Sequence, residues 1–176
     1  MSREIFLIRH ATPDWGSSLT YHLPPGPSLT TAGLEEAEAL GAFLKQSGVR
    51  GLFSSPLERC LQTAQIAASA TGAQVQVLDD LREWQPGEDP TAVQARMQAS
   101  LQVGAGAGET QPVGYVTHGG PIAALLKALG MDEAVLESHR VYDHRNPLPP
   151  AGVWRLRRDE SIHGWGMELV YPPRNH

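Results

Sequence analysis

Cysteine is almost absent from this chain: Cys60 is the one thiol among 176 residues. An intramolecular disulfide framework and a four-cysteine zinc site are thereby excluded, and a reducing cytoplasm is the expected setting. Basic residues are few and scattered. Lys and Arg number 14 against 19 Asp and Glu, giving a formal charge of −5. The densest basic run, Arg155-Leu156-Arg157-Arg158, alternates like a strand with a solvated face. A surface for nucleic acid needs clustered cations, so no nucleic-acid partner is expected. Long apolar runs are lacking too. The run Ile5 to Ile8 is cut by Arg9 and His10, too short for a signal-peptide core or a membrane span, so no membrane partner is expected either. No internal repeat divides the chain, and its length suits a single domain over 1–176.

What the chain does have is an abrupt boundary at its first strand. Four apolar residues, Ile5-Phe6-Leu7-Ile8, read as a strand buried on both faces, and Arg9 and His10 follow at its end. In an open α/β sheet ligands bind beyond the carboxyl ends of the strands, so this cationic pair sits at a mouth suited to an anion. About twenty residues of turn chemistry come next, from Thr12 through Trp15 and Tyr21 to Pro27, and form a long loop able to fold over that mouth.

Thr30 or Thr31 caps a helix with Glu35 and Glu36 in its first turn, ending at Gly48. A short strand over 49–53 leads to Ser55-Pro56-Leu57-Glu58, which has the form of a capping box with proline at the first helical position. That helix runs to Gly72 and carries Arg59 near its start, at the same end of the sheet as His10. A third strand, Val75 to Leu78, precedes Asp79-Asp80-Leu81-Arg82-Glu83-Trp84, and the turn Gln85-Pro86-Gly87 keeps Glu83 in a loop on the mouth side. Asp89-Pro90 opens another helix, and Gly104 to Gly108 is a flexible link. That link has the glycines of a dinucleotide loop but follows a helix and precedes a strand, the wrong context. Val113 to Thr117 is a strand that ends, like the first, at a histidine, His118. Gly119 and Gly120 then allow backbone to approach a ligand, and Pro121 opens a helix to Gly130. The polar segment 132–150 carries no assigned chemistry, and the strands at 153–157 and 167–171 form a hairpin on a sheet edge.

Arg9, His10, Arg59, Glu83 and His118 thus stand at strand ends. Two guanidiniums match phosphoryl oxygens and neutralise charge developing on them. One imidazole attacks phosphorus as the neutral base; the other, protonated, adds a donor. Glu83 is the candidate general acid, its pKa raised beside the anion, with Asp80, Glu88 and Asp14 as the alternatives. Trp15 and Trp84 flank these residues and either wall a leaving group or close the edge of the core. Cys60 has no arginine six residues on, which leaves packing as its role. His139, Asp143 and His144, with His163 and His176, have a spacing a metal could use, but read better as loop polar groups.

Leu7-Ile8-Arg9-His10 with Thr12, Leu29-Thr30 with Gly33 and Ala37, Ser54 to Arg59 with Gln62-Thr63-Ala64, Leu81-Arg82-Glu83 with Gly87, and Thr117 to Gly120 resemble, in order, the motifs of the histidine phosphatase superfamily, the phosphoglycerate mutase-like family. The resemblance runs from the first strand to about Gly130. It implies a three-layer α/β/α sandwich with a mostly parallel central sheet and, given the short stretch 88–112, a small cap. It implies His10 as the phosphorylated nucleophile, Arg9, Arg59 and His118 as the phosphate pocket, and Glu83 as proton donor, with no metal and no cofactor. Ala11 stands where the family usually has glycine, and Gly16 where many members have an asparagine; Thr12, Ser17 or Ser18 are the candidates to supply the missing contact, and Gly119 completes the binding set. The second histidine is followed by Gly119 rather than by the aspartate that serves as acid in one branch, which favours Glu83. The expected activity is hydrolysis of a small phosphomonoester through phospho-His10. The alternatives are a phosphoglycerate-type mutase and a catalytically weak phosphate-binding member.

Overall fold

A computed structural model describes residues 4–104 and 110–172. The expected Gly-rich link at 104–108 lies mostly outside the described residues, as does His176. Six strands form one sheet in the order β3-β2-β4-β1-β5-β6. They are β1 (Ile5–Arg9), β2 (Gly51–Ser54), β3 (Gln74–Val77), β4 (Val113–Thr117), β5 (Val153–Asp159) and β6 (Gly164–Tyr171). The helices are α1 (Thr31–Gln46), α2 (Glu58–Thr71), α3 (Pro90–Val103), α4 (Gly119–Ala128) and α5 (Glu133–His139). Among the described residues no helix is long and apolar enough to cross a membrane.

The layering follows from β1. Alternate side chains of a strand point to opposite faces, and here both faces are covered. Ile5 and Leu7 join the apolar cluster built with α3, α4 and α5, including Met97, Leu125 and Leu136. Phe6 and Ile8 join the cluster with Leu40 and Leu44 of α1 and Ala64 and Ala67 of α2. That is the three-layer α/β/α sandwich. The stretch expected as a small cap is built as α3, whose Val93 and Met97 are buried in the first of these clusters.

The sheet departs from the mostly parallel arrangement: it is mixed. β1, β4, β2 and β3 are mutually parallel, with Arg9 opposite Thr117 and Ser54 opposite Val116. β5 runs antiparallel to β1, and β6 antiparallel to β5. The reason is connection length. A parallel return needs a crossover of a dozen residues or more, whereas only four residues, 160–163, join β5 to β6.

Three local expectations change. Glu35 and Glu36 miss the first turn of α1, although Thr30 caps it by accepting from the Gly33 amide at 3.0 Å; Glu36 instead accepts from the Thr12 amide and hydroxyl at 2.9 and 2.8 Å. The capping box at Ser55 does not form. α2 begins at Glu58 with Leu57 as its N-cap: the Glu58 amide donates to the Pro25 carbonyl at 2.8 Å, while the Ser55 hydroxyl accepts from the Leu57 amide at 3.3 Å and meets His118 at 2.8 Å. The polar segment 132–150 holds a helix, α5, capped by Asp132.

Gly33 shows why small residues recur near β1. A Cβ there would lie 2.2 Å from the Thr12 carbonyl oxygen, the same carbonyl that accepts from the Thr30 amide at 3.1 Å. Gly33→Ala therefore forces backbone apart and should cost about 1–3 kcal/mol in urea-unfolding stability; a variant as stable as the parent protein contradicts this packing.

Candidate active site

The carboxyl ends of β1, β4 and β2 deliver His10, His118 and Ser55 to one point, and α2 brings Arg59 in beside them. Arg9, His10, Arg59 and His118 are each no more than 1% exposed. The imidazoles stand edge to face, ring centres 5.3 Å apart. His10 Nδ1 lies 2.7 Å from the Ala11 carbonyl, a contact only a donor can make, so in the neutral ring the lone pair is on Nε2. Toward that atom point the Arg59 Nε–H, at 3.3 Å, and the Tyr21 hydroxyl, at 3.5 Å. Burial lowers the His10 pKa well below its ordinary value, reinforced by His118, Arg59 and Arg9. The ring is thus a neutral base at pH 7, oriented before any ligand arrives.

His118 is gripped at both nitrogens. Nε2 meets Ser55 Oγ at 2.8 Å, and Nδ1 faces Arg59 Nη2 at 3.2 Å and Glu83 Oε2 at 3.3 Å. Burial lowers its pKa, with Glu83 opposing. The sequence reading had the second imidazole as a cation; among these contacts it is neutral near pH 7. Glu83 departs from expectation in the other direction. Burial alone raises a carboxyl, yet His118, the Trp84 amide at 2.8 Å and Arg59 outweigh it and hold Glu83 well below the usual carboxylate range. It is ionised here, and becomes an acid only once something draws Arg59 and His118 away from it.

Arg9 is fixed by a residue the sequence gave no reason to pair with it. Its Nη1 and Nη2 donate to both oxygens of Asp143 at 2.7 and 2.6 Å, and Nη1 also to the Leu148 carbonyl at 3.1 Å. Its Nε–H, buried, has no hydrogen-bond partner among the described residues. Arg9 lines the site cavity, and a buried cationic donor without a partner is chemically suited to an anion.

The cavity above these groups has a volume of about 710 Å³. Arg9, His10, Glu83 and Gly119 line it, whereas the buried Arg59 and His118 do not, and among the described residues Glu83 is the one carboxylate that does. Asp80, Glu88 and Asp14 do not line it; Glu88 is clamped by Arg96 Nε and Nη2 at 2.8 and 2.9 Å. Thr12 and Ser17 are not brought to the cavity. Thr12 is turned to Glu36, and Ser17 Oγ accepts from the Leu19 amide at 3.1 Å. Gly16 lies in an exposed turn, its amide on Asp14. The hydroxyl that does stand over His10 is that of Tyr21, whose ring lies 3.8 Å under the Arg59 guanidinium and whose carbonyl accepts from Arg59 Nη1 at 2.8 Å.

Arg96, on α3, is a further positioning group. It reaches the carbonyls of Asp80 and Arg82 at 2.7 and 2.8 Å and of Glu83 at 3.3 Å, stapling the loop that carries Glu83. His139, Asp143 and His144 point to three different partners, Trp154, Arg9 and Trp15, and among the described residues no group of three His, Cys, Asp or Glu is placed to hold a metal. Cys60 is buried packing, its Sγ 3.4 Å from His118 Nε2 and its thiol pushed up to about 12 by burial.

This geometry meets a sequence match: the pattern of the histidine phosphatase superfamily (branch 1) fits residues 5–88, from β1 to the Glu83 loop. Residues 5–88 of the chain are thus similar to the histidine phosphatase superfamily (branch 1). A curated protein of similar sequence, the probable phosphoglycerate mutase GpmB of Proteus mirabilis (strain HI4320), is 30% identical over 84 residues, covering 48% of this chain and 39% of that protein. The chain thus aligns with about two fifths of that relative's length. Among solved structures, a mycobacterial glucosyl-3-phosphoglycerate phosphatase superposes with TM-score 0.74 at 23% identity, over 96% of this chain and 98% of that one. A phosphoglycerate mutase from Bacillus anthracis str. Sterne superposes with TM-score 0.73 at 17% identity, over 96% and 92%. These two likenesses speak for a phosphoglycerate mutase-like fold.

The site has a consequence for stability. The unfolded chain takes up protons on His10 and His118 near pH 6.5 that the folded site refuses. Stability therefore falls as pH drops from about 6.5 toward the depressed folded-state values, by at most about 1.4 kcal/mol per pH unit for each ring. His10→Asn should flatten the decline of the urea midpoint between pH 7 and 5; an unchanged slope contradicts the neutral buried pair.

Proposed function

We propose that the protein is a metal-independent phosphomonoesterase acting through phospho-His10. The observation that carries this is the fixed orientation of His10, with Nδ1 donating to Ala11 and the Nε2 lone pair facing Arg59 and Tyr21. In the first step Nε2 attacks phosphorus while the bond to the leaving oxygen breaks, and the Glu83 carboxyl delivers its proton to that oxygen. The Nε–H of Arg9, Arg59 and His118 hold the phosphoryl oxygens as charge spreads over them. Glu83 gains its proton because the incoming dianion competes for Arg59 and His118 and adds negative charge beside it, both of which raise its pKa. In the second step Glu83, now a carboxylate, takes a proton from water, the hydroxide oxygen bonds to phosphorus, and the P–N bond breaks to release phosphate and neutral His10. Tyr21 Oη donates to a phosphoryl oxygen, the contact for which Thr12 and Ser17 are out of place. The reading places this chemistry in the cytoplasm, on a small phosphorylated substrate.

A second reading, phosphoryl transfer between positions of a sugar acid, is favoured by the mutase names of the curated relatives. Release of inorganic phosphate from 3-phosphoglycerate, as against its isomerisation, separates the two.

His10→Ala should lower phosphate release from p-nitrophenyl phosphate by at least about a thousandfold, and EDTA should leave the parent activity unchanged. Protein denatured in alkaline detergent after incubation with labelled substrate should carry a base-stable, acid-labile phosphate that His10→Ala lacks. Activity that survives the substitution, or that EDTA abolishes, overturns the reading. Tyr21→Phe keeps the ring under Arg59 and removes only the hydroxyl, so a loss of about tenfold in kcat/KM with unchanged folding is expected; full activity would assign Tyr21 to packing alone.

A further inference from the structure

The phosphate-binding end uses a small part of the cavity, and the remainder has a composition of its own. Beyond His10, five aromatic or imidazole rings line it, those of Trp15, Tyr21, His22, Trp84 and His144. Four of them are held. Trp15 stacks on Tyr21, centres 5.3 Å apart and planes within 19°, and His144 leans on Trp15 at 4.9 Å. Tyr21 in turn is anchored on Arg59, so a continuous column of flat groups runs from the phosphoryl-binding guanidinium outward to His144. Trp84 is tied by its Nε1–H to the Glu88 carbonyl at 3.0 Å, and a Cβ at Gly120 would stand 3.5 Å from its ring. The backbone of His144 and Arg145 is held at φ 50 and 57, a conformation side chains rarely adopt and one that keeps the His144 ring on the column.

Charge in this region is as telling as shape. Among the residues lining the cavity the sole Lys or Arg is Arg9, already engaged by Asp143 and by the phosphoryl site. The Glu83 carboxylate also lines it. A ligand bearing a second anion, such as a carboxylate beside the phosphate, would find no further Lys or Arg among the lining residues and a like charge on Glu83. The other polar groups available are the His22, Gln85 and Asn146 side chains and glycine backbone. Trp15 itself is 47% exposed, an indole on the rim.

We propose that the organic part of the phosphorylated ligand is an uncharged alcohol carrying a flat ring, an aryl or nucleoside-like group, held by stacking on the Trp15–Tyr21 column and on Trp84. This rests on the phosphomonoesterase reading for the word substrate, but the ring subsite is a property of binding. Phosphonates test it without turnover, because their C–P bond is not cleaved by displacement at His10. Benzylphosphonate and phosphonoacetate share the phosphonate and differ in bearing a ring or a carboxylate. Calorimetric titration of the full chain should show benzylphosphonate binding at least tenfold more tightly. Trp15→Ala, at a half-exposed position, should cut that ratio to threefold or less. Equal or tighter binding of phosphonoacetate, undetectable binding of benzylphosphonate, or a ratio untouched by Trp15→Ala overturns the proposal. A ring preference in binding with no phosphate release from benzyl phosphate would uphold the subsite and remove the phosphatase reading.

Discussion

Two guanidinium groups are buried at one end of the sheet, and much of the remaining structure exists to make that tolerable. An unpaired buried charge costs several kcal/mol, and neither Arg9 nor Arg59 is more than 1% exposed. Each is compensated from a different part of the chain. Arg9 has the two oxygens of Asp143, on the loop before β5. Arg59 has the Tyr21 carbonyl and ring from the loop after β1, and Glu83 from the loop after β3. Compensation is incomplete by design of the chemistry: the Arg9 Nε–H is left over, and Glu83 is shared between Arg59 and His118. The proposed phosphoryl dianion would complete what the protein leaves short, so in that reading binding and catalysis fall to the same few atoms.

Much of this was legible in the sequence because the information is local. The apolar run that stops at Arg9-His10, the second strand that stops at His118, and Arg59 just inside a helix each place a group at the sheet end without any long-range knowledge. Layering was equally legible, since a strand apolar at every position has to be covered on both faces. What failed did so where a residue had two possible partners. Ser55-Pro56-Leu57-Glu58 has every local mark of a capping box, but the Glu58 amide that the serine would cap donates to the Pro25 carbonyl, and the serine also meets His118. Glu36 suits a helix start but holds Thr12. The raised carboxyl expected of Glu83 presupposes the anion; with His118 and Arg59 alone beside it, the carboxyl shifts the other way.

The segment 132–150 is the clearest case of information absent from local pattern. Asp143 lies 134 positions from Arg9 along the chain, and no periodicity or spacing links them. His144 and Asn146, which line the cavity, owe their place to a backbone turn that no glycine announces. Tyr21 was likewise unremarkable inside a long irregular loop until its ring was found under Arg59. The family pattern matches residues 5–88, so the turn that carries Asp143, His144 and Asn146 lies in the part least readable from pattern.

The position of β1 within the sheet also bears on how the protein comes to exist in the cell. Its two neighbours are β4, which begins at Val113, and β5, which begins at Val153. The most apolar strand is therefore made before either partner and remains without one for more than a hundred residues of synthesis, at a chain growth rate of about 5–20 residues per second. Pairings this distant in sequence are slow to close, and an unpaired apolar strand is an open edge for other chains. Every molecule thus passes through an interval of several seconds in which its central strand is an aggregation-prone segment, and how much folded protein accumulates depends on what shields Ile5 to Ile8 until β4 and β5 arrive.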